Sequence, residues 1–325
     1  MAVRSAQGTS TRPGTAQPGT VQPGTAQPGT VQSKRAESAP RPEQVEPWQD
    51  LSEDYRRAAA RMIEFHMMSE IVGPVHEFRW VPRAPSLHAK QVFAAKSQDE
   101  IGHGLMLLRV CEDLTGKSRA DYMEQILDGP PRFMNIFHYP WDEWVDPAIV
   151  AWLIDGAEIE RQATLLRSSY GPYARAMRKI VKEEGFHHHC GRYLVAQMMA
   201  GTPAQRSAVQ RGVERWWLRT LAMFGPSDES SKHGPTLMAY GLKLSHNEAL
   251  RQSFLTKYVP QIRAMGVEIP DDNLSRDEET GRWTYTEPDW AEFSSLLRGG
   301  SPVGADLQRE LREARGANAW LLAAA

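Results

Sequence analysis

The stretch "SQDEIGHG", residues 97–104, places a glutamate and a histidine three positions apart, as Glu100 and His103. Residues at i and i+3 share one face of an α-helix, so both side chains can reach a single metal ion. A single Glu-x-x-His pair is more often solvated or salt-bridged than a set of metal ligands. The rest of the sequence must separate these two interpretations.

A second pair with the same spacing lies in "VKEEGFHHHC", as Glu184 and His187. Four-helix carboxylate proteins hold two metal ions with a Glu-x-x-His from each of two helices and a carboxylate from each of the other two. Both further carboxylates are present, and each precedes its Glu-x-x-His motif by a similar number of residues. Glu70 precedes Glu100 by 30 residues, and Asp155 precedes Glu184 by 29.

Apolar residues surround these positions at helical offsets, for example Met177, Ile180 and Val181 before Glu184 and Leu107 after Glu100. Acidic side chains on apolar faces are costly unless they are paired or bind metal. The pattern therefore predicts a buried di-metal site. Carboxylate and imidazole ligands without thiolate suit iron or manganese. The predicted ligands are Glu70, Glu100, His103, Asp155, Glu184 and His187.

Some assignments have neighbouring competitors. Glu158 and Glu160 compete with Asp155, which the spacing and the flanking "WLI" favour. His188 and His189 adjoin His187, and His188 could support the ligands without binding metal.

Composition excludes several functions. In 325 residues, 38 Lys+Arg balance 40 Asp+Glu to a net charge of −2. No basic stripe points to nucleic acid. The two cysteines, Cys111 and Cys190, fit a reducing compartment and are too few for a self-contained iron–sulfur cluster. No apolar run approaches the roughly 18 residues of a membrane span, and we expect a cytoplasmic protein without membrane contact.

The chain is predicted to comprise three parts. Residues 13–32 repeat a Pro-Gly-Thr pentapeptide that cannot bury enough apolar surface to fold, so residues 1–45 are predicted to be a disordered tail. Residues 46–270 are predicted to form a helical domain, and 271–325 a C-terminal extension. Strands alternating with helices are missing from the pattern, so the fold class is predicted to be all-α.

Capping and turn residues predict the helix ends. The expected elements are a helix from Ser52 to Gly73, one from Ser86 to Gly116, one capped by Asp146, one from "GPYA" to about Ala200, one starting at Thr202-Pro203, helical structure over 233–265 interrupted near Asn247 and Pro260, a Thr-Gly turn within 277–290, and a short helix over Ala305 to Arg315.

At these residues the chain resembles the catalytic A subunits of bacterial phenylacetyl-CoA 1,2-epoxidases, which are multicomponent monooxygenases. The resemblance covers about residues 48–295 and rests on "SEIVG", "VPRAP", "QDEIGHG", "IFHYP", "WLIDGAEI", "SYGPYARAM", "KEEGFH" and "MFGPSD". It implies a ferritin-like four-helix bundle with extra C-terminal helices and two iron ions on the six ligands. It also implies O₂-dependent epoxidation of the aromatic ring of phenylacetyl-CoA in phenylacetate catabolism.

The resemblance further implies three partners: a non-catalytic ferritin-like sister subunit, a small accessory subunit, and a reductase that carries NADPH, flavin and an iron–sulfur cluster. The chain itself has no dinucleotide fingerprint and only two cysteines, so its electrons must come from elsewhere. The resemblance also assigns catalytic positions to Lys96 and Glu77. Lys96 could pair with Asp155 or Glu100 or assist proton delivery, although an ordinary helical salt bridge is an equal alternative.

An acyl-CoA substrate carries several negative charges, so its site needs cations away from the iron. Three segments offer cations and match substrate-contacting segments of the family: the one around Arg61, "PRFMN" at residues 131–135 and "DESSKHGPTLMAYGLK" at residues 228–243. In the first of them Phe65 stands where the family has a polar amide. The predicted substrate contacts are Arg61, Phe65, Arg132, Phe133, Met134, Asn135, Ser231, Lys232, His233 and Lys243.

Three alternatives remain open. A related aromatic acyl-CoA epoxidase, such as one acting on benzoyl-CoA, would share these features. A non-catalytic scaffold protein of the same complex would lack the full ligand set, which is present here. A radical-generating reductase subunit would need a tyrosine beside the iron, and no tyrosine lies within one helical turn of the six ligands in sequence.

Overall fold

The computed structural model describes residues 42–130, 132–227, 229–299 and 301–322. Most of these residues are helical, which confirms the all-α prediction. Most of the predicted tail, residues 1–41, lies outside the described residues. The helices are α1 Glu53–Trp80, α2 Leu87–Thr115, α3 Arg119–Asp128, α4 Val145–Ile149, α5 Asp155–Leu165, α6 Gly171–Met199, α7 Pro203–Ala222, α8 Gly234–Ala239, α9 Asn247–Ala264, α10 Trp290–Leu297, α11 Pro302–Ala317 and α12 Ala319–Leu322.

Helices α1 and α2 form an antiparallel hairpin. Arg56 near the start of α1 donates to the carbonyl of Leu114 near the end of α2, and further along the pair Glu77 lies 3.0 Å from Lys96. Ser86 caps α2, and Gly116 ends it in the left-handed conformation with φ 73°, as the sequence predicted. The hairpin presents one face of each helix to the protein interior.

The second hairpin pairs α6 with a long composite helix. This composite helix consists of α4, a π-helical segment Val150–Ile154 and α5. Gly191 of α6 lies against the backbone of Ala151, and Asp155 lies beside Glu184. The two hairpins together form a ferritin-like four-helix bundle, and α7 and α9 cover its outer side.

Several predicted boundaries are wrong. Helix α1 does not end at Gly73 but continues through Pro74 to Trp80, because Gly73 leaves room for the ring of Phe137 to pack against the helix. Asp146 lies inside α4 instead of capping it, and its Oδ2 accepts from the backbone of Asp142 and Glu143 in the preceding turn.

Other differences lie in the C-terminal half. Pro260 does not interrupt α9, whereas a break over 240–246 does separate α8 from α9. The predicted Thr-Gly turn joins two short antiparallel strands, β1 Ser275–Arg276 and β2 Trp283–Thr284. The last predicted helix is longer than expected, as α11, and the sequence patterns did not reveal α3 or α10.

Two contacts fix segments that surround the bundle. Val45 donates to the carbonyl of Ser169 at 2.7 Å and accepts from Gly171 at 2.9 Å, so the packed part of the chain includes Val45. Ser301, the N-cap of α11, donates to the carbonyl of His138 at 2.7 Å. Within the described residues, no helix is both long and apolar enough to cross a membrane.

Candidate metal centre

Four helical elements direct carboxylates and imidazoles into the middle of the bundle. Each of the six predicted ligands is at most 8% exposed. Their donor atoms fall into two groups that share Glu184, and within each group the atoms lie within 4.8 Å of one another. The groups are Glu70, Glu100, His103 and Glu184, and Asp155, Glu184 and His187.

The first group surrounds the ring of His103. Its Nδ1 lies 3.6 Å from Oε2 of Glu70, 3.4 Å from Oε2 of Glu100 and 3.6 Å from Oε1 of Glu184. These separations are too long for good hydrogen bonds and leave space between the donor atoms.

The second group surrounds His187. Its Nδ1 lies 3.4 Å from Oε1 of Glu100 and 3.5 Å from Oε2 of Glu184. Glu100 and Glu184 therefore each present one oxygen to His103 and the other to His187. This is the arrangement that two bridging carboxylates require.

The π-helical segment before Asp155 explains how this ligand enters the centre. A π-helical turn contains an extra residue, which changes the direction of the side chains that follow, and such turns are frequent at functional sites. The composite helix thereby places Asp155, only 5% exposed, opposite α6.

Two carboxylates outside the predicted set orient the imidazoles. Nε2 of His103 donates to Glu183 at 2.9 Å, and Nε2 of His187 donates to Asp99 at 3.2 Å. Each histidine thus pairs with the acid that precedes the glutamate of the opposite Glu-x-x-His. An acid before both motifs, as in "DEIGH" and "EEGFH", was the sequence signal that could have identified Asp99 and Glu183.

The inner nitrogens test whether the site fits metal. With Nε2 protonated toward a carboxylate, Nδ1 of a neutral imidazole has a free lone pair. Nδ1 of His103 and Nδ1 of His187 are buried and have no hydrogen-bond partner among the residues that the structure describes. Both face carboxylate oxygens across a short gap. The donor set therefore fits a pair of metal ions.

Lys96 lies beside the same carboxylates and is 3% exposed. Its Nζ forms ion pairs with Glu77 at 3.0 Å, with Asp155 at 3.2 Å and with Glu100. Both residues assigned catalytic positions, Lys96 and Glu77, are therefore in contact with each other and next to the ligands.

The electrostatics follow from burial and these pairs. Burial raises the pKa of Glu77 to about 7, although Lys96 opposes the shift. For Lys96, burial opposes the charge, but Asp155, Glu100 and Glu77 outweigh it and raise the pKa well above its usual range. Burial likewise opposes the charge of Glu100, but Lys96 holds its pKa well below the usual range.

A tyrosine also approaches the centre through one intermediate. His66 contacts Glu70 at 2.8 Å and the hydroxyl of Tyr173 at 2.8 Å. Tyr173 is far from every ligand in sequence except along α6, where it lies 11 residues before Glu184. The folded chain alone brings it near a ligand.

A cavity opens onto this centre. It is lined by the ligands Glu70, Glu100, Asp155 and Glu184, by Lys96 and Glu77, and by the apolar side chains Met134, Ile136, Phe137, Val150 and Ile154. An apolar pocket with a few convergent polar groups is the usual form of a small-molecule site. Among the ten predicted substrate contacts, Met134 lines this cavity.

The neighbours of Met134 hold the loop in place. Phe133 is fully buried and stacks on His138 with ring centroids 4.4 Å apart, and Asn135 donates to the carbonyl of Arg219 at 3.1 Å. Arg132 is exposed. Phe65 is half-buried and packs against the apolar core.

Most of the predicted cations are exposed, Lys243 is half-buried, and two of the predicted segments meet. Arg61 of α1 donates to His233 at 2.8 Å, so the predicted segment around Arg61 contacts the segment that contains Lys232 and His233. Lys232 is exposed, Ser231 accepts from the backbone of Gly234 at 3.0 Å, and Lys243 contacts Asn247.

Comparison with known proteins agrees with this geometry. Residues 31–320 match the family described as phenylacetic acid catabolic protein. The chain belongs to this family. It is also 39% identical over 281 residues to the A subunit of 1,2-phenylacetyl-CoA epoxidase from Escherichia coli (strain K12), an alignment that spans 86% of this chain and 91% of that protein. The phenylacetic acid catabolic protein match includes all four helical elements that carry the predicted ligands.

Proposed function

We propose that this chain is the oxygenase subunit of a phenylacetyl-CoA epoxidase in phenylacetate catabolism. The observation that carries the proposal is the pair of buried donor groups that share Glu184 and open onto an apolar cavity. The Escherichia coli relative is named for this activity, and the alignment spans most of both chains.

The metal of this centre is proposed to be iron, in two ions. Oxygen and nitrogen ligands suit iron or manganese, and no thiolate belongs to either donor group in the described part of the chain. Glu100 and Glu184 would bridge the ions, with Glu70 and His103 at one ion and Asp155 and His187 at the other. When bound, two ferrous ions supply the two electrons that reduce O₂.

The proposed reaction takes two electrons from an external donor, NADPH. Phenylacetyl-CoA, O₂, NADPH and a proton give the ring epoxide, water and NADP⁺. One oxygen atom adds across a double bond of the ring, and the other leaves as water. Because this chain has two cysteines and no dinucleotide fingerprint, NADPH, flavin and an iron–sulfur cluster are assigned to a separate reductase.

The residues around the cavity have distinct tasks. The apolar side chains Ile136, Phe137 and Ile154 are proposed to contact the aromatic ring and to keep water from the centre. Glu77, with a pKa raised by burial to about 7, can hold or release a proton near neutral pH beside Lys96. These two residues are proposed to deliver the protons that the departing water requires.

The charged coenzyme A handle is assigned to the surface cations. Arg61 and His233 are in contact, and Lys232 adjoins them in sequence. We expect Arg61→Ala to raise KM for phenylacetyl-CoA about tenfold, as the loss of about 1.4 kcal/mol predicts. Arg57→Ala, one turn earlier on α1 and paired with Glu53, is the matched control. Lys243→Ala should act like Arg61→Ala if its segment contacts the same handle.

The proposed partners are the reductase, a sister subunit of similar fold and a small accessory subunit. The relative is named as one subunit of its epoxidase, which supports a complex. The decisive assay reconstitutes the chain with these partners, NADPH and O₂ and measures epoxide formation. Glu100→Ala and Glu184→Ala should abolish the product while helix content stays the same, and turnover without a reductase would contradict the proposal.

The same assay distinguishes the alternatives. Comparing phenylacetyl-CoA with benzoyl-CoA determines which thioester is turned over faster. A scaffold subunit would bind its partners but support no turnover. The complete ligand set in the bundle favours the catalytic role.

A further inference from the structure

The ring of His66 connects a metal ligand to a buried phenol. His66 is 2% exposed and Tyr173 is 1% exposed, so bulk water does not compete for their hydrogen bonds. Nε2 of His66 lies 2.8 Å from Oε1 of Glu70, and Nδ1 lies 2.8 Å from the hydroxyl of Tyr173.

The chemistry of the partners fixes where the protons lie. A metal-bound Glu70 is ionised and only accepts hydrogen bonds, so the N–H of a neutral His66 is then on Nε2. Nδ1 is then an acceptor, and the phenol of Tyr173 is the donor that it meets. The chain of bonds therefore runs from Tyr173 O–H to His66 Nδ1 and from His66 Nε2–H to Glu70.

This chain of bonds has a consequence for the carboxylate. Oε1 of Glu70 is held by His66, whereas Oε2 faces Nδ1 of His103 at 3.6 Å. One oxygen thus serves the supporting bond and the other is directed into the donor group. Groups that orient ligands in this way commonly affect metal affinity by about 10–100-fold.

We propose that Tyr173 and His66 are positioning residues that fix Glu70 as a one-oxygen metal ligand through Oε2. The proposal rests on the proposed metal function of the centre. Its effect should be confined to the ion held by Glu70 and His103, because the contacts of Tyr173 and His66 do not include Asp155 or His187.

The first test measures metal binding with Co²⁺, whose absorption reports each ion as it is ligated. Wild-type protein should bind two Co²⁺ ions. Tyr173→Phe should weaken one of them about tenfold and leave the other unchanged. Tyr122→Phe is the control, because Tyr122 is fully buried and its hydroxyl bonds Glu64 at 2.9 Å, away from the centre.

Two variants at His66 separate positioning from packing. His66→Leu fills space but cannot donate to Glu70, so it should weaken the same ion at least as much as Tyr173→Phe. His66→Gln retains a donor and an acceptor and should restore much of the affinity. Equal weakening by the Leu and Gln variants would overturn the positioning role.

The second test determines the tautomer of His66 in protein loaded with Zn²⁺, which has no unpaired electrons and keeps Glu70 ionised. In ¹⁵N-histidine-labelled protein, the signal lost in His66→Gln identifies His66. It should report a proton on Nε2 in the wild type, and a shifted Nδ1 resonance in Tyr173→Phe, where that nitrogen loses its donor, but not in Tyr122→Phe. A proton on Nδ1 in the wild type, or two undisturbed Co²⁺ sites in Tyr173→Phe, would overturn the inference. Failure of the wild type to bind Co²⁺ would instead contradict the proposed metal centre.

Discussion

The rings of His103 and His187 face each other across the bundle with centroids 6.0 Å apart and an interplanar angle of 39°. Glu100 and Glu184 lie between them and offer one oxygen to each ring. The two Glu-x-x-His motifs are therefore halves of one centre, and the groups that support each half can be tested separately.

Lys96 supplies the positive charge among buried carboxylates. Lys96→Met should destabilise the protein by about 3 kcal/mol in the presence of a chelator, because Glu77, Glu100 and Asp155 lose their shared counter-charge. Added Fe²⁺ should reduce the difference in unfolding free energy between the wild type and Lys96→Met. Chemical unfolding measures both effects. Lys257→Met, which removes an exposed pair with Glu160, should cost less than about 1 kcal/mol; an equal loss in the two variants would refute the role given to Lys96.

Asp99 orients His187 from outside the ligand set. Asp99→Ala should lower the affinity for one metal ion about 10–100-fold while the fold persists, because Nε2 of His187 loses its acceptor. Metal titration by calorimetry measures the change. Asp113→Ala, an exposed acid on the same helix, should leave both affinities unchanged. Unaltered binding in Asp99→Ala would show that the contact does not orient the ligand.

Helix α11 holds the loop that lines the cavity. A Cβ at position 304 would lie 2.7 Å from Nδ1 of His138 and 3.3 Å from Phe133, so Gly304→Ala must displace the loop that carries Met134. We expect a higher KM for phenylacetyl-CoA with unchanged metal content, measured by steady-state kinetics. Gly316→Ala, on the same helix with no atom within 4 Å, should leave KM unchanged and add up to about 1 kcal/mol of stability.

His76 should make the fold sensitive to acid. Burial, together with the charges of Arg79 and His138, lowers its pKa to about 4, although the bond to the carbonyl of Phe137 and the charge of Glu310 oppose the shift. Because the folded pKa is below the unfolded value of about 6.5, its contribution is present above pH 6.5 and is lost as the pH falls toward 4.

The corresponding measurement compares unfolding at pH 7 and pH 5. Wild-type protein should lose about 2 kcal/mol more than His76→Gln over this interval. Glutamine can still donate to Phe137 but does not titrate. Identical losses in the two proteins would show that His76 does not titrate on unfolding in this range.

The sequence predicted the helical class and the residues that meet at the centre because both depend on local spacing. Glu-x-x-His is a property of one helical turn, and Ser52, Ser86 and Gly116 act on their own helix ends. The wrong boundaries depend on tertiary contacts. Gly73 resembles a helix end until Phe137 is placed against it, and Pro260 breaks no helix in its packed environment.

The supporting groups were harder to predict for the same reason. Asp99 and Glu183 act across the bundle on the opposite motif, and Tyr173 reaches Glu70 only through His66. The hydrogen bond from Ser301, the N-cap of α11, to the carbonyl of His138 joins residues 163 positions apart. The acid before each motif was a signal for Asp99 and Glu183, but sequence spacing contains no information on the partners of Tyr173 and His138.

Iron stoichiometry tests the central claim most directly. Protein loaded anaerobically with Fe²⁺ and freed of excess metal should contain two iron ions per chain, and Glu184→Ala, which removes the carboxylate shared by both groups, should contain at most one. Asp113→Ala should retain two. One ion or fewer in the wild type, or two in Glu184→Ala, would contradict a di-iron centre bridged by Glu184.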